Sequence, residues 1–405
     1  MKTQPIKLKN ITTRITKGTT PTTMGFDFID YGINYIKAEA LNGDSELDMQ
    51  SFSYINDVAH NKLKRSILQN NDVLVTIAGV NIGKVGIVKQ KHLPANTNQA
   101  VGIVRIKPEL ANSSYIYYWF KNPSTFNHLQ NINAQAAQPN INLEMLGDLS
   151  LLLPDIQNQQ RIASAIAAYD ELINTNRRQI QLLEESARLL FREWFVYFRF
   201  PGHEKMKIVD GVPEGWERKP IAVLTSFLSR GVAPHYDEDA DGLVINQKCI
   251  RGGRLDVSLA LRQSREFKPD RQVQLGDVLI NSTGEGTLGR VAQVLAPIAS
   301  CTVDTHITIA RPIPKIGVHY FGQSLMAWEP RLSTMGRGAT NQTELSRGQI
   351  GEIDILVPSH SLVQQFEEYS EPIFSQVSTL LEQNQKLKVA RDLLLPRLMS
   401  GAIEV

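Results

Sequence analysis

Two hydrophobic rhythms divide the chain. Over residues 1–154, and again over 199–358, short β-branched runs such as "DVLVTIA", "VGIVRI", "DVLINST" and "HITIARP" read as strands. Residues 113–130 and 318–333 read as short amphipathic helices. After Pro154 and Pro358 the composition turns to Gln, Glu, Leu, Ile and Arg, and glycine almost vanishes. There Ile162, Ile166, Tyr169, Ile173, Asn176, Ile180, Leu183, Ala187, Leu190 and Trp194 follow one another in steps of four and three. Phe366, Ser370, Ile373, Val377, Leu380, Asn384, Leu387, Arg391, Leu394 and Leu398 do the same. A 4-3 repeat sustained this long predicts two coiled-coil helices, over 155–198 and 359–405. At ~1.5 Å per residue each would be a rod of roughly 50 Å. Both seams need burial, so each helix is the obvious partner of the other. Asn176 and Asn384 occupy unlike core classes near the middle of their seams, which favours antiparallel pairing with the two amides meeting.

The strand-rich stretches are copies. "NNDVLVTIAGVNIGKVGIV" (70–88) matches "LGDVLINSTGEGTLGRVAQV" (275–294), aligning Asp72 with Asp277 and Lys84 with Arg290. "YIKAEALNGDSELD" (35–48) resembles "VINQKCIRGGRLD" (244–256), and "TKGTTP" (16–21) echoes "SRGVAP" (229–234). Downstream, "AQPNINLEMLGDLSLLLP" (137–154) answers "NQTELSRGQIGEIDILVP" (341–358). The collinear order marks a tandem duplication of a unit of about 200 residues, far too long for a solenoid repeat. The expected fold class is therefore mixed α/β. Two tandem domains of sheet and short helices are separated by two long helices in an antiparallel coiled coil, with pseudo-two-fold organisation. The divisions fall at 1–154, 155–198, 199–358 and 359–405.

Length and composition fit this picture without deciding function. The 405 residues, 42% hydrophobic and 21% charged, describe an ordinary globular chain of more than one domain. A net charge of +2 permits nucleic-acid binding, which needs a local basic face rather than a global excess. Cys249 and Cys301 are the only cysteines, so neither a zinc site nor a disulfide framework is expected, and a reducing cytoplasm is the natural compartment. "MKTQPIKLKN" lacks the apolar core of a signal peptide, and no apolar run is long enough to span a membrane.

The usual catalytic signatures are missing. There is no H-E-x-x-H, no G-x-S-x-G and no Walker loop; "GVNIGK" (79–84) is one residue short of the last, and valine follows its lysine. "NPST" at 122 lacks the second proline and the aromatic of an adenine-methyltransferase tetrad. Glu184 and Glu185 are adjacent on a helix and so diverge, as a solvated face rather than an acid–base pair. Gly284, Gly286 and Gly289 spell G-x-G-x-x-G, the dinucleotide fingerprint of an oxidoreductase. The duplicate, however, has Asn81 where the middle glycine should be, and "RVAQVLAPIAS" continues as a strand rather than a helix. The expectation is a glycine turn joining two strands and carrying a cation.

Those turns and their neighbours are candidate DNA contacts: Lys17, Asn81 and Lys84 in the first copy, and Arg230, Arg251, Arg254 and Arg290 in the second. Gln138 and Asn140 in "NAQAAQPN", and Arg337, Asn341 and Gln342 in "GRGATNQT", are side chains able to pair with purine edges. Any one of them is an ordinary loop residue; the set, present in both copies, carries the inference. A coiled-coil scaffold binding protein or glycan is the alternative, and concentration of these residues on one face of each module discriminates the two.

Taken together, "LPDIQNQQRIASAIAAYDELI" (153–173), "VPSHSLVQQFEEYSEPIF" (357–374), "ESARLLFREWFV" (185–196), "KVARDLLLPRLMSGAI" (388–403) and "VPEGWE" (212–217) resemble the specificity subunits of type I restriction–modification systems over essentially the whole chain. The first module departs from the pattern by opening with "QPIKLKNI", without Gly-Trp. The resemblance implies a non-catalytic reader of double-stranded DNA, each target-recognition domain binding one half of a bipartite, asymmetric site and the coiled coil setting the spacer. It implies no cofactor on this chain. Two methyltransferase subunits would bring S-adenosylmethionine, and restriction subunits, where present, would bring ATP-driven cleavage. Arg177, Arg178, Arg188 and Arg192 are the candidate docking residues for the methyltransferase subunits.

Overall fold

The computed structural model describes residues 4–43, 46–79, 82–132, 140–336 and 343–404. The chain gathers into two compact units, Met1–Thr175 with Asn384–Val405, and Asn176–Gln383. Spatial compactness thus cuts each long helix in two instead of setting the helices apart from the modules.

In the first unit the strands are β1 (Gln4–Lys7), β2 (Thr12–Lys17), β3 (Ile33–Ile36), β4 (Ser53–Ile55), β5 (Val73–Thr76), β6 (Val85–Ile87), β7 (Ala95–Thr97), β8 (Val101–Ile106) and β9 (Ser150–Leu153). They make an antiparallel sheet in the order β2-β8-β5-β6 and a three-stranded sheet β4-β3-β7 whose last pair is parallel. A ribbon of β1 and β9 completes the set. In the second unit they are β10 (Glu217–Pro220), β11 (Thr225–Arg230), β12 (Gly242–Ile245), β13 (Leu261–Gln263), β14 (Val278–Asn281), β15 (Val291–Gln293), β16 (Cys301–Val303), β17 (Ile307–Pro312) and β18 (Asp354–Val357). Adding nine to each first-unit strand gives the matching sheets of the second, β11-β17-β14-β15, β13-β12-β16 and β10-β18, with β12 and β16 parallel. The second unit adds two small hairpins, Ile208–Val209 with Val212–Pro213 and Ile250–Arg251 with Arg254–Leu255. Even the bulge is repeated, between Thr12 and Arg14 and between Thr225 and Phe227. The duplication read in the sequence is a duplication of topology.

The aligned aspartates hold each sheet together. Asp72 and Asp277 follow residues in left-handed conformation, Asn71 (φ 68°) and Gly276 (φ 88°), just before the central strands. Each carboxylate accepts a backbone N–H, from Gln69 at 2.7 Å and from Gln274 at 2.8 Å. Each also takes a two-pronged guanidinium from the neighbouring strand. Arg105 on β8 reaches Asp72 at 2.8 Å through both Nε and Nη2, and Arg311 on β17 reaches Asp277 at 2.7 and 2.8 Å.

Among the described residues five helices exceed eight residues: α1 (Ser113–Lys121), α2 (Pro123–Asn131), α3 (Ile156–Phe191), α4 (Val318–Leu332) and α5 (His360–Ser400). The single helix expected over 113–130 is two. Pro123 sits in the first turn of α2, and Asn122 before it is extended (ψ 130°), as a residue preceding proline prefers.

No residue of either predicted seam is exposed. In the first unit Ile162 and Ile166 share a core with Leu395, Leu398 and Met399. Asp170 accepts from Arg391 at 2.6 Å and from the hydroxyl of Tyr118 on α1 at 2.9 Å, which explains a charged residue in the seam. In the second unit Ile180 packs with Val377 and Leu380, and Phe191 and Trp194 pack on Phe366. Within each unit, rising numbers on α3 meet falling numbers on α5, so the two helices are antiparallel. The expected amide pair is not formed: Asn176 donates to Gln383 at 3.5 Å, one position before Asn384. The pairing register sets position 383, not 384, across from Asn176.

Candidate nucleic-acid interface

Both glycine turns are tips of antiparallel hairpins. The N–H of Gly289 donates to the Asn281 carbonyl at 2.8 Å, and that of Asn281 to the Arg290 carbonyl at 2.9 Å, closing β14 onto β15. In the first module Gly83 donates to Thr76 at 2.9 Å and Thr76 to Lys84 at 2.8 Å. A strand follows each turn, so there is no helix N-terminus to cradle a pyrophosphate. The glycines serve backbone shape and close approach. Gly83 and Gly289 both have positive φ (81° and 79°). A Cβ on Gly289 would lie 2.6 Å from the carbonyl carbon of Leu332 in α4, and one on Gly83 would lie 3.2 Å from the Phe126 ring in α2.

Two further segments reach the same end of each four-stranded sheet. Beyond Asn133–Pro139, Asn140 bridges Ala78, and Ile141 N–H donates to Ile77 at 2.8 Å. Beyond Arg337–Gln342, Glu344 bridges Thr283, and Leu345 N–H donates to Ser282 at 2.8 Å. The "KG" and "RG" turns close the other side, Gly18 donating to Val101 and Gly231 to Ile307, both at 3.2 Å. Glycine is required at these two positions because a Cβ would fall on the carbonyl oxygens of Thr97 and Val303. The structure thus brings Lys17, Lys84 and Asn140 to one sheet end in the first module, and Arg230 and Arg290 to the matching end in the second. Asn81, Gln138, Arg337, Asn341 and Gln342 lie outside the described residues.

The second-module arginines are less extended than free fingers would be. Arg290 donates to the Gly286 carbonyl at 2.7 Å and to Ile250 at 3.4 Å, bracing its own turn. Arg230 pairs with Glu344 at 2.7 Å and donates to the Leu345 carbonyl at 3.1 Å. Arg251 is exposed on the small hairpin of Ile250–Arg251 and Arg254–Leu255. On the same hairpin Arg254 is committed to Glu184 of α3 at 2.7 Å. This corrects the view of Glu184 as part of a solvated pair: burial raises its pKa, and Arg254 opposes that rise. Glu185 does face solvent, where Arg188 binds it at 3.0 Å. Arg177 and Arg178 are exposed on α3, and Arg192 lies in the π-helical turn Arg192–Val196 beside Tyr197.

Several polar residues at these sheet ends escaped the sequence reading. Arg65 donates to Thr19 at 3.2 Å beside the "KG" turn, and Arg271 donates to the carbonyls of Arg230 and Gly231, both at 2.7 Å. His306 and Gln247 both meet Thr283 at the base of the second glycine turn. Arg65, Arg271 and His306 come from segments that the copy-to-copy matching did not include, and Gln247 lies in a matched segment whose copy has Ala38 in its place. Among the described residues no three His, Cys, Asp or Glu side chains cluster as metal ligands, and no helix is long and apolar enough to cross a membrane.

The family described as type I restriction modification DNA specificity domain matches residues 2–185. The type I restriction enzyme MjaIX specificity subunit of Methanocaldococcus jannaschii is 26% identical over 337 residues, spanning 80% of this chain and 76% of that one. The EcoBI specificity subunit of Escherichia coli is 31% identical over 142 residues, 35% of this chain. The crystal structure of a type I system S subunit from M. genitalium shares the fold, with a TM-score of 0.58 over 98% of this chain and 96% of that one at 14% identity. Residues 2–185 thus match the type I specificity domain, and most of the chain is similar to specificity subunits of type I restriction–modification systems.

Proposed function

We propose that each module reads one half of a bipartite, asymmetric sequence in double-stranded DNA, and that the chain catalyses no reaction itself. One observation carries this reading. In both modules the basic-glycine turn, the glycine hairpin and a third segment (Asn140 and Ile141, or Glu344 and Leu345) converge on the same end of a topologically identical sheet. A cation, amide side chains and backbone donors in one place suit phosphate contact and base-edge readout together. The antiparallel contacts of α3 with α5 support a fixed spacer between the half-sites. Exposed Arg177 and Arg178 on α3 suit docking of two methyltransferase subunits, which would transfer methyl groups from S-adenosylmethionine to adenine. Restriction subunits would add ATP-dependent cleavage. The two buried thiols fit a cytoplasmic setting: burial pushes Cys249 up to about 11 and Cys301 up to about 12, so both stay protonated and inert.

Salt dependence of binding to target duplex tests the proposal. About eight phosphate contacts predict a slope near −7 in log K against log salt; a flat response excludes a DNA reader.

A further inference from the structure

The glycine turns share a frame, but the floor beneath them differs. In the second module Gln247, Thr283 and His306 stand at the end of the sheet; the aligned positions of the first module are Ala38, Ala78 and Ala100. The three polar side chains form a chain of contacts. The amide nitrogen of Gln247 donates to Thr283 Oγ1 at 2.9 Å, and Thr283 Oγ1 meets His306 Nδ1 at 2.8 Å. Gln247 is itself held, because Asn281 Nδ2 donates to its carbonyl at 3.2 Å and the backbone of Gly284 packs on its side-chain amide. From the other side, Asp304 accepts the backbone N–H of His306 at 2.8 Å.

His306 is exposed and central to the three converging segments. Its carbonyl accepts from Ser282, whose own carbonyl accepts from Leu345, and Ile307 beside it accepts from Gly231 of the "RG" turn. Thr283 Oγ1 accepts from Gln247 and keeps one proton and one lone pair for His306 Nδ1. When the hydroxyl donates to Nδ1, the ring proton sits on Nε2, and the exposed imidazole, held from behind, presents a donor.

Resting on the reading of this face as a DNA reader, we propose that His306 is a specificity-determining residue of the second half-site. It donates from Nε2 to a purine acceptor in the major groove, guanine O6 or N7 or adenine N7. Thr283, Gln247 and Asn281 are its positioning residues. The first module, with alanines at three of these four positions, lacks this contact, so the two halves are read by different chemistry from one scaffold.

The test uses the full chain co-produced with its methyltransferase subunit in cells lacking other adenine methylation, with modified adenines mapped across the genome. The wild type gives a bipartite motif. His306→Ala relaxes one purine position in the half-site assigned to residues 199–358, lowering discrimination there by about 10- to 100-fold and leaving the other half unchanged. His306→Gln, which keeps a donor, retains part of that discrimination. An unchanged motif, or an equal loss at every sequence with a shallower salt slope, would overturn the inference and leave the DNA-reading proposal standing. A wild type that yields no bipartite motif would overturn both.

Discussion

The two modules keep the same frame and change what stands at its edge. Each has the strand order, the bulge, the buried Asp–Arg pair and the glycine pressed against a facing carbonyl. Around that frame the chemistry reverses. Glu39 and Glu46 in the first module align with Lys248 and Arg254 in the second. Glu46 draws in Lys89 and Lys91 at 2.9 and 2.6 Å, whereas Arg254 reaches out to α3. Gln90, Lys91 and His92 align with Ala296, Pro297 and Ile298. The proposed reader of two different half-sites would need this division, with the parts that place the surface kept and the parts offered to the bases diverged.

The largest expected effect tests the shared frame. Asp72→Ala and Asp277→Ala should each cost about 3–5 kcal/mol by stranding a mostly buried guanidinium, and denaturant titration of the full chain should give similar losses for both. A large loss in one module with tolerance in the other would break the equivalence.

Acid sensitivity should separate the modules next. Burial, with Lys91 and Lys89 nearby, holds His92 down to about 4 against an opposing effect of Glu46. Its Nδ1 accepts the Lys89 N–H at 3.0 Å, which suits a neutral ring. The unfolded chain binds this proton more readily, so the stabilisation is complete above about pH 6.5 and is lost as pH falls towards 4. The loss is at most about 3 kcal/mol. His92→Ile, copying Ile298, should flatten that part of the pH–stability curve measured by thermal melts. An unchanged curve would assign the acid response elsewhere.

A smaller contrast sharpens the account of the glycines. Gly286→Ala at φ 70° meets open space and should cost about 1–2 kcal/mol from backbone conformation alone. Gly231→Ala drives a methyl into the Val303 carbonyl and should cost more. Equal melting shifts would contradict the close approach.

Periodicity made the seams and most strands legible, because burial on one face leaves a pattern in every turn or every second residue. The repeat made the architecture legible and decided against the dinucleotide motif, since Asn81 occupies the place of the middle glycine. Long-range polar partners were not legible. Asp72 was marked by duplication, but nothing local ties it to Arg105 on another strand. Arg254 looked like a surface cation until Glu184 stood opposite it, and the partner of Asn176 depended on a one-residue register. His306 carries no local motif; the role proposed for it rests on three segments meeting around it.

The central claim is that one module reads one half-site. Exchanging residues 1–150 for the corresponding module of another specificity subunit, with methylated adenines mapped before and after, tests it most directly. A change in one half of the motif, with the other half and the spacer retained, is the predicted result. A change in both halves, or in neither, would contradict it.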